Sequence, residues 1–101
     1  MTGTDHLWGG ILTSIQFDPT SRVLELAIRV EAAGEKHRWT VRLNDVSDLR
    51  VDRPDDGWDY TEVTEVHVSP DGDRNQVEFV FWAAPNGLSA SFSMLSVERQ
   101  R

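Results

Sequence analysis

Apolar and polar side chains alternate along most of this 101-residue chain. A period of two is typical of β-strands that bury one face, because successive side chains of a strand point to opposite sides. Between residues 22 and 32 the apolar members of the pattern are Leu24, Leu26, Ile28 and Val30. Nowhere does the helical i, i+3, i+4 spacing persist for three turns. The sequence therefore predicts an all-β fold.

Turn-forming residues interrupt the pattern at regular intervals. Gly, Pro, Asn, Asp and Ser, which favour tight turns, cluster at residues 18–21, 33–35, 53–57, 69–73 and 85–87. The intervals predict six or seven mostly antiparallel strands, joined by hairpins, in a two-layer sandwich or a partly open barrel. A chain of this length suits one hydrophobic core. We therefore expect a single domain over residues 1–101, with residues 1–6 and 98–101 frayed.

The first and last strands carry well-defined faces. In the first strand, residues 11–18, the alternation places four side chains on one face: Ile11, Thr13, Ile15 and Phe17. In the last strand, residues 88–97, it directs four inward: Leu88, Ala90, Phe92 and Met94. The phase of this last strand changes at Leu95. We expect the aliphatic and aromatic members of both sets in the core.

The middle of the chain is less regular. Residues 44–53 space their apolar side chains by three and then by two, which fits a single helical turn or a short edge strand. Val63 and Val66 cannot both face the core of one regular strand. We therefore predict a β-bulge, or a late strand start, near Glu65.

The strand at residues 75–84 is apolar on both faces. Val77, Phe79 and Phe81 share one face, and Val80 and Trp82 share the other. A strand with two apolar faces is typical of the centre of a structure that is covered on both sides. A small domain can supply the second cover by self-association, so a structural homo-oligomer, for example a homodimer, that buries Val77–Ala84 is one interpretation.

Charge and cysteine content exclude several functions. The net charge is −7, with 17 acidic residues against 10 basic ones, and such a surface repels nucleic acid and anionic membranes. The chain has no cysteine, which removes disulfide scaffolds and thiol chemistry. It carries neither a signal-peptide pattern nor an apolar run of the ~20 residues that span a bilayer. Lys36 is the one lysine among the basic residues, which suggests a high-GC bacterial origin. We expect a cytoplasmic protein.

Motifs for catalysis or cofactor binding are missing from the sequence. His6, His37 and His67 have no partners at a metal-binding spacing. Residues 71–75 resemble the start of a calcium loop, but the position that needs glycine is Gln76. No phosphate-binding loop or serine-nucleophile motif is present. We predict a protein that is not an enzyme and that needs no cofactor, although a carboxylate pair depends on the fold and stays open.

Acidic residues and tryptophans mark the candidate contact residues. The acids of residues 45–65, here called the acidic stretch, are Asp45, Asp48, Asp52, Asp55, Asp56, Asp59, Glu62 and Glu65. They fit either an attractive patch for a basic partner or a solvated loop. Exposed tryptophans are common in protein contacts, although in small β domains they also fill the core. The predicted contact residues are Trp58, Trp82, Asp55, Asp56 and Asp59.

Two segments carry a family resemblance. Residues 5–18 (DHLWGGILTSIQFD) lead into the first strand, and residues 39–49 (WTVRLNDVSDL) follow the first hairpin. This arrangement resembles small bacterial β-rich domains of uncharacterised families, some of which are immunity proteins of polymorphic toxin systems. Those chains commonly open with a His-Asp-small motif, where this chain has Trp8-Gly9-Gly10. The resemblance implies a β-rich protein that works by binding another protein.

Three functions follow from these observations. The first is a protein-interaction module, with an immunity-like protein as its specific form, that binds a basic protein partner and neither nucleic acid nor membranes. The second is the structural homo-oligomer that buries residues 77–84. The third is a small-ligand binder with an aromatic-lined pocket.

Overall fold

The fold consists of eight β-strands. The computed structural model describes residues 7–32, 34–52, 62–82 and 87–100. The strands are β1 (Ile11–Asp18), β2 (Val23–Ala32), β3 (Glu35–Asn44), β4 (Ser47–Asp52), β5 (Val63–Asp71), β6 (Arg74–Phe81), β7 (Gly87–Phe92) and β8 (Met94–Gln100). No α-helix occurs in these ranges. The all-β prediction is confirmed.

The strands form two antiparallel four-stranded sheets. Sheet A has the order β1-β2-β3-β8, and sheet B has the order β4-β7-β6-β5. The chain passes from sheet A to sheet B at Asp45 and Val46, and it returns at Ser93. The two sheets are not closed into a barrel. The architecture is therefore the two-layer alternative of the prediction.

The crossing at Ser93 explains the eighth strand. The sequence predicts one last strand at residues 88–97, whereas the structure has β7 and β8, with Ser93 between them donating its backbone N–H to the carbonyl of Asn44 over 3.0 Å. The bend changes which side of the chain faces the core. Met94, expected inside, is 64% exposed, while Leu95 packs against the core. The phase change at Leu95 thus marks a change of sheet.

The predicted bulge in β5 is confirmed. Its pairing with β6 shifts register between Val63 and Glu65, which leaves Thr64 as the extra residue. The Thr64 hydroxyl donates to the carbonyl of Val80 over 2.9 Å and holds the bulge in place. Because the extra residue resets the alternation, Val63 and Val66 both face the core.

A second bulge, in β1, overturns a predicted face. The pairing of β1 with β2 shifts between Leu12 and Ser14, and the Thr13 hydroxyl donates to the carbonyl of Ala27 over 3.1 Å. Leu12 is therefore buried, while Ile11 lies opposite Arg29 on the outer side of sheet A. The predicted set of Ile11, Thr13, Ile15 and Phe17 on one face is wrong at its first two members. Phe17, which was expected in the core, is 39% exposed.

The core lies between the inward faces of the two sheets. Its largest fully buried side chains come from β6, β7 and β2 and include Phe79, Phe81, Phe92, Leu24 and Leu26. Sheet A covers the inner face of β6 within the chain itself. The outer face carries Gln76, Glu78 and a half-buried Val80, so it is mixed rather than apolar. Residues 83 and 84, the end of the predicted strand, lie outside the described residues.

The irregular middle forms an edge strand. Of the two predictions for residues 44–53, the edge strand is confirmed, as β4. Residues 98–100, predicted to fray, form the end of β8 and pair with residues 38–40 of β3. The predicted frayed residues 1–6 and 101 lie outside the described residues.

Candidate contact surface

Trp82 is the most exposed large hydrophobic side chain among the described residues. It directly follows β6, and its backbone N–H donates to the carbonyl of Glu62 over 2.9 Å, which extends the β5–β6 ladder by one residue. Phe81 points into the core, so Trp82 points outward, and its side chain is 65% exposed. A large exposed aromatic residue is typical of a contact site.

Two acidic side chains lie beside Trp82, Glu62 just before β5 and Glu65 within it. Glu65 lies opposite Val80, the outward neighbour of Trp82 on β6. Glu62 lies opposite Ile11 in an isolated bridge to β1. Glu65 is exposed, and its carboxylate accepts a hydrogen bond from Nε2 of His67 over 2.8 Å. These carboxylates give the edge of sheet B a negative charge.

A second exposed tryptophan lies on the same edge. The backbone N–H of Gly9 donates to the carbonyl of Val63 over 2.6 Å, and the N–H of Val63 donates to the carbonyl of Gly10 over 2.7 Å. These bonds join the start of β1 to β5. Trp8 is 44% exposed, and its ring meets the His67 ring edge to face, with centroids 6.2 Å apart.

We call this region the β5 surface. It comprises two exposed tryptophans, two carboxylates, one imidazole and one aliphatic side chain: Trp8, Trp82, Glu62, Glu65, His67 and Val80. Trp82 was predicted from the sequence as a contact residue, whereas Trp8 was not. The other predicted contact residues, Trp58, Asp55, Asp56 and Asp59, lie outside the described residues. The segment that carries them, residues 53–61, joins β4 to β5 and leads directly into Glu62.

The described part of the acidic stretch does not form one patch. Asp48 and Asp52 belong to β4, whereas Glu65 belongs to β5. These strands are opposite edges of sheet B, with β7 and β6 between them. Asp45 lies at the crossing between the sheets and has a different role.

Asp45 is the centre of a clamp that holds this crossing. Its Oδ1 accepts from Arg22 over 2.6 Å, and its Oδ2 accepts from Arg74 over 2.8 Å. Arg74 also donates to the Asp45 carbonyl and, over 2.8 Å, to the hydroxyl of Ser91. The hydrogen bond from Arg74 lowers the pKa of Asp45, and the charge of Arg22 adds to the shift. Since both carboxylate oxygens already have partners, the clamp is structural.

Two clefts lined by described residues are polar. One cleft of about 320 Å³ lies at the β1–β2 turn, where Phe17 is its one aromatic lining residue beside charged groups such as Glu25 and Arg42. A second cleft, of about 280 Å³, is lined by Gly9, Ile11, Arg29 and Glu31. Neither cleft resembles the aromatic-lined pocket that a small-ligand binder would need.

Comparisons and searches of the described residues give no further assignment. No protein-family model and no curated protein sequence matches this chain. Within residues 7–32, 34–52, 62–82 and 87–100, no group of three or more His, Asp or Glu side chains could hold a metal ion. The same ranges contain no helix long and apolar enough to cross a membrane. The resemblance to immunity proteins stays a prediction.

Proposed function

We propose that this protein is a non-enzymatic protein-interaction module that binds its partner through the β5 surface. The observation that carries the proposal is the exposure of Trp82 at the end of β6, next to β5, with the exposed Trp8 also beside β5. Tryptophan supplies a large apolar area and a polar N–H, and it is enriched among the residues that dominate binding energy. The carboxylates around it form a polar rim.

The partner in this proposal is a basic protein. Glu62 and Glu65 flank Trp82, and the sequence that precedes Glu62, residues 53–61, contains three aspartates and one arginine. The whole chain carries a net charge of −7. A negative surface of this kind speeds the encounter with a positive partner and disfavours acidic ones. In its specific form, the proposal is an immunity-like protein that neutralises a basic toxin. The family resemblance supports binding to another protein, and the acidic charge supports a basic one.

Site-specific photo-crosslinking tests the contact surface. The variant Trp82→p-benzoylphenylalanine is expressed in the organism that encodes the protein, irradiated and analysed for covalent adducts by mass spectrometry. We expect a discrete adduct with another protein. The control is Phe17→p-benzoylphenylalanine, because Phe17 is also an exposed aromatic residue but belongs to β1 of sheet A. Equal adducts from both positions, or none from position 82, would contradict the proposal.

Charge reversal tests the nature of the partner. In the crosslinking background, Glu65→Lys should reduce the adduct strongly, because it places a positive charge beside Trp82. The matched control is Asp73→Lys, which makes the same charge change at an exposed position of the turn between β5 and β6, at the opposite end of these strands from Trp82. If both variants reduce the adduct equally, the partner responds only to net charge and the β5 surface is not its binding site.

A further inference from the structure

The four edge strands of this sandwich differ in how well they are protected. An open edge offers unpaired N–H and C=O groups to another strand, and proteins protect edges with bulges, prolines and irregular backbone. β1 has its bulge at Thr13 and is joined to β5 near Gly10. β5 has its bulge at Thr64 and contains Pro70. β4 shifts register next to Asp48, whose φ of 53° is left-handed.

β8 has neither a bulge nor a proline, and its edge protection is limited to the charges of Glu98 and Arg99. It pairs with β3 over seven consecutive residues without a register shift. Its sequence, MLSVERQ, contains neither proline nor lysine. Among the described residues, no strand pairs with its second edge. Leu95 and Val97 pack against the core from this strand but stay half-buried, because nothing described covers their outer flank.

We propose that β8 pairs with β8 of a second copy of this chain, antiparallel, so that the two copies form one continuous eight-stranded sheet. We identify the partner strand as β8 of a second copy because the sequence of β8 is complementary to itself in an antiparallel pair. In a two-fold antiparallel pair one residue lies opposite its own copy, and the register centred on Val97, the midpoint of β8, is the one that uses all seven residues. In that register Val97 lies opposite Val97, and Leu95 lies opposite Arg99.

The same register is electrostatically favourable. It places Ser96 opposite Glu98 of the second copy and keeps the two Glu98 carboxylates apart. Moving the centre to Glu98 would set these carboxylates directly opposite each other, which is destabilising. The aliphatic part of Arg99 can cover Leu95, since long charged side chains pack their stems on apolar surface. This surface belongs to sheet A and is separate from the β5 surface of the proposed function.

Substitutions at Ser96 give the test. Ser96 is exposed and lies opposite Arg42 of β3 within its own chain. In the dimer it lies opposite Glu98 of the second copy. The variant Ser96→Glu should therefore attract Arg42 and leave the fold intact, but it should repel Glu98 across the dimer twice. The variant Ser96→Lys should repel Arg42 within its own chain and attract Glu98 of the second copy. Each variant therefore changes the stability of the fold and the stability of the dimer in opposite directions.

Sedimentation equilibrium from micromolar to millimolar concentration measures the association, in salt sufficient to screen the repulsion between two acidic chains. We expect the natural chain to dimerise, Ser96→Glu to weaken the dimer by about tenfold and Ser96→Lys to strengthen it by about tenfold. The control, Ser14→Glu on the bulged edge β1, should leave the dimer unchanged. A natural chain that stays monomeric, or Ser96 variants that both change association in the same direction, would overturn the proposal.

Discussion

Among the glycines of the described residues, Gly10 has the closest neighbours for an added methyl group. A β-carbon at Gly10 would lie 2.7 Å from Cγ2 of Ile28 and 3.0 Å from both the carbonyl oxygen of Leu7 and Cγ2 of Val30. The φ angle of Gly10 is outside the left-handed region, so alanine is compatible with the backbone. The cost of Gly10→Ala is therefore one of packing. Inserting a methyl group into filled space costs about 1–3 kcal/mol.

That cost is large for a domain of this size. Small domains unfold with a free energy of about 5–15 kcal/mol. In a domain of about 100 residues, each kcal/mol lowers Tm by roughly 4–8 °C. We therefore expect Gly10→Ala to lower Tm by roughly 5–20 °C. Urea and thermal unfolding, followed by tryptophan fluorescence, measure the change.

A double-mutant cycle identifies the cause. Ile28→Leu moves the branching methyl group away from Cβ and relieves the closest contact of the added carbon. We expect the double variant Gly10→Ala/Ile28→Leu to lose less stability than the sum of the two single variants. The control is Gly34→Ala, which adds the same methyl group in open space at a φ of 79° and should be additive with Ile28→Leu. An unchanged Tm for Gly10→Ala, or an additive cycle, would refute this reasoning.

Three further predictions concern other parts of the fold. Phe79→Ala should destabilise the domain by about 3–5 kcal/mol, measured by urea unfolding, because Phe79 is fully buried in β6. Trp82→Ala should leave the unfolding midpoint nearly unchanged, since the side chain is mostly exposed, while abolishing the partner adduct that Trp8→p-benzoylphenylalanine forms on irradiation. The lowered pKa of Asp45 stabilises the fold above the ordinary value of 3.8, and this contribution is lost as the pH falls through the lowered pKa. Asp45→Asn should therefore be less stable than the natural chain at neutral pH and lose less stability on acidification, as measured by unfolding from pH 7 downward.

Sequence periodicity could predict the strands because each strand buries one face. It also predicted the bulge at Thr64, since Val63 and Val66 stand on both sides of it in conflicting phase. The bulge at Thr13 left no such signal. Ile11 and Leu12 are both apolar, so either phase of β1 places an apolar residue inside, and only the pairing with β2 selects Leu12.

Long-range polar contacts were not predictable from local patterns. Asp45 is separated in sequence from Arg22 by 23 residues and from Arg74 by 29. From the sequence alone, Asp45 therefore cannot be distinguished from the other acids of the acidic stretch. Trp8 was missed as a contact residue for a similar reason. Its place beside His67 depends on the hydrogen bonds that join the start of β1 to β5, and no motif encodes them.

The two proposed surfaces lie on opposite flanks of the sandwich. β8 and β1 are the two outer strands of sheet A, and β1 is joined to β5. Pairing through β8 would therefore leave the β5 surface of each copy open, and the dimer would present two binding sites facing away from the shared strands. Such a bivalent molecule binds a clustered partner more tightly than one copy does, without any new contact.

This arrangement makes a last prediction that separates the two proposals. The photo-crosslink from position 82 should form to the same extent in the Ser96→Glu background, because that variant weakens the β8 pairing and leaves the β5 surface unchanged. The mass of the adduct identifies the molecule that is crosslinked to position 82. An adduct with twice the mass of this chain, lost in the Ser96→Glu background, would show that Trp82 contacts a second copy. The β5 surface would then be part of a homo-oligomer interface, and the independence of the two surfaces would be disproved.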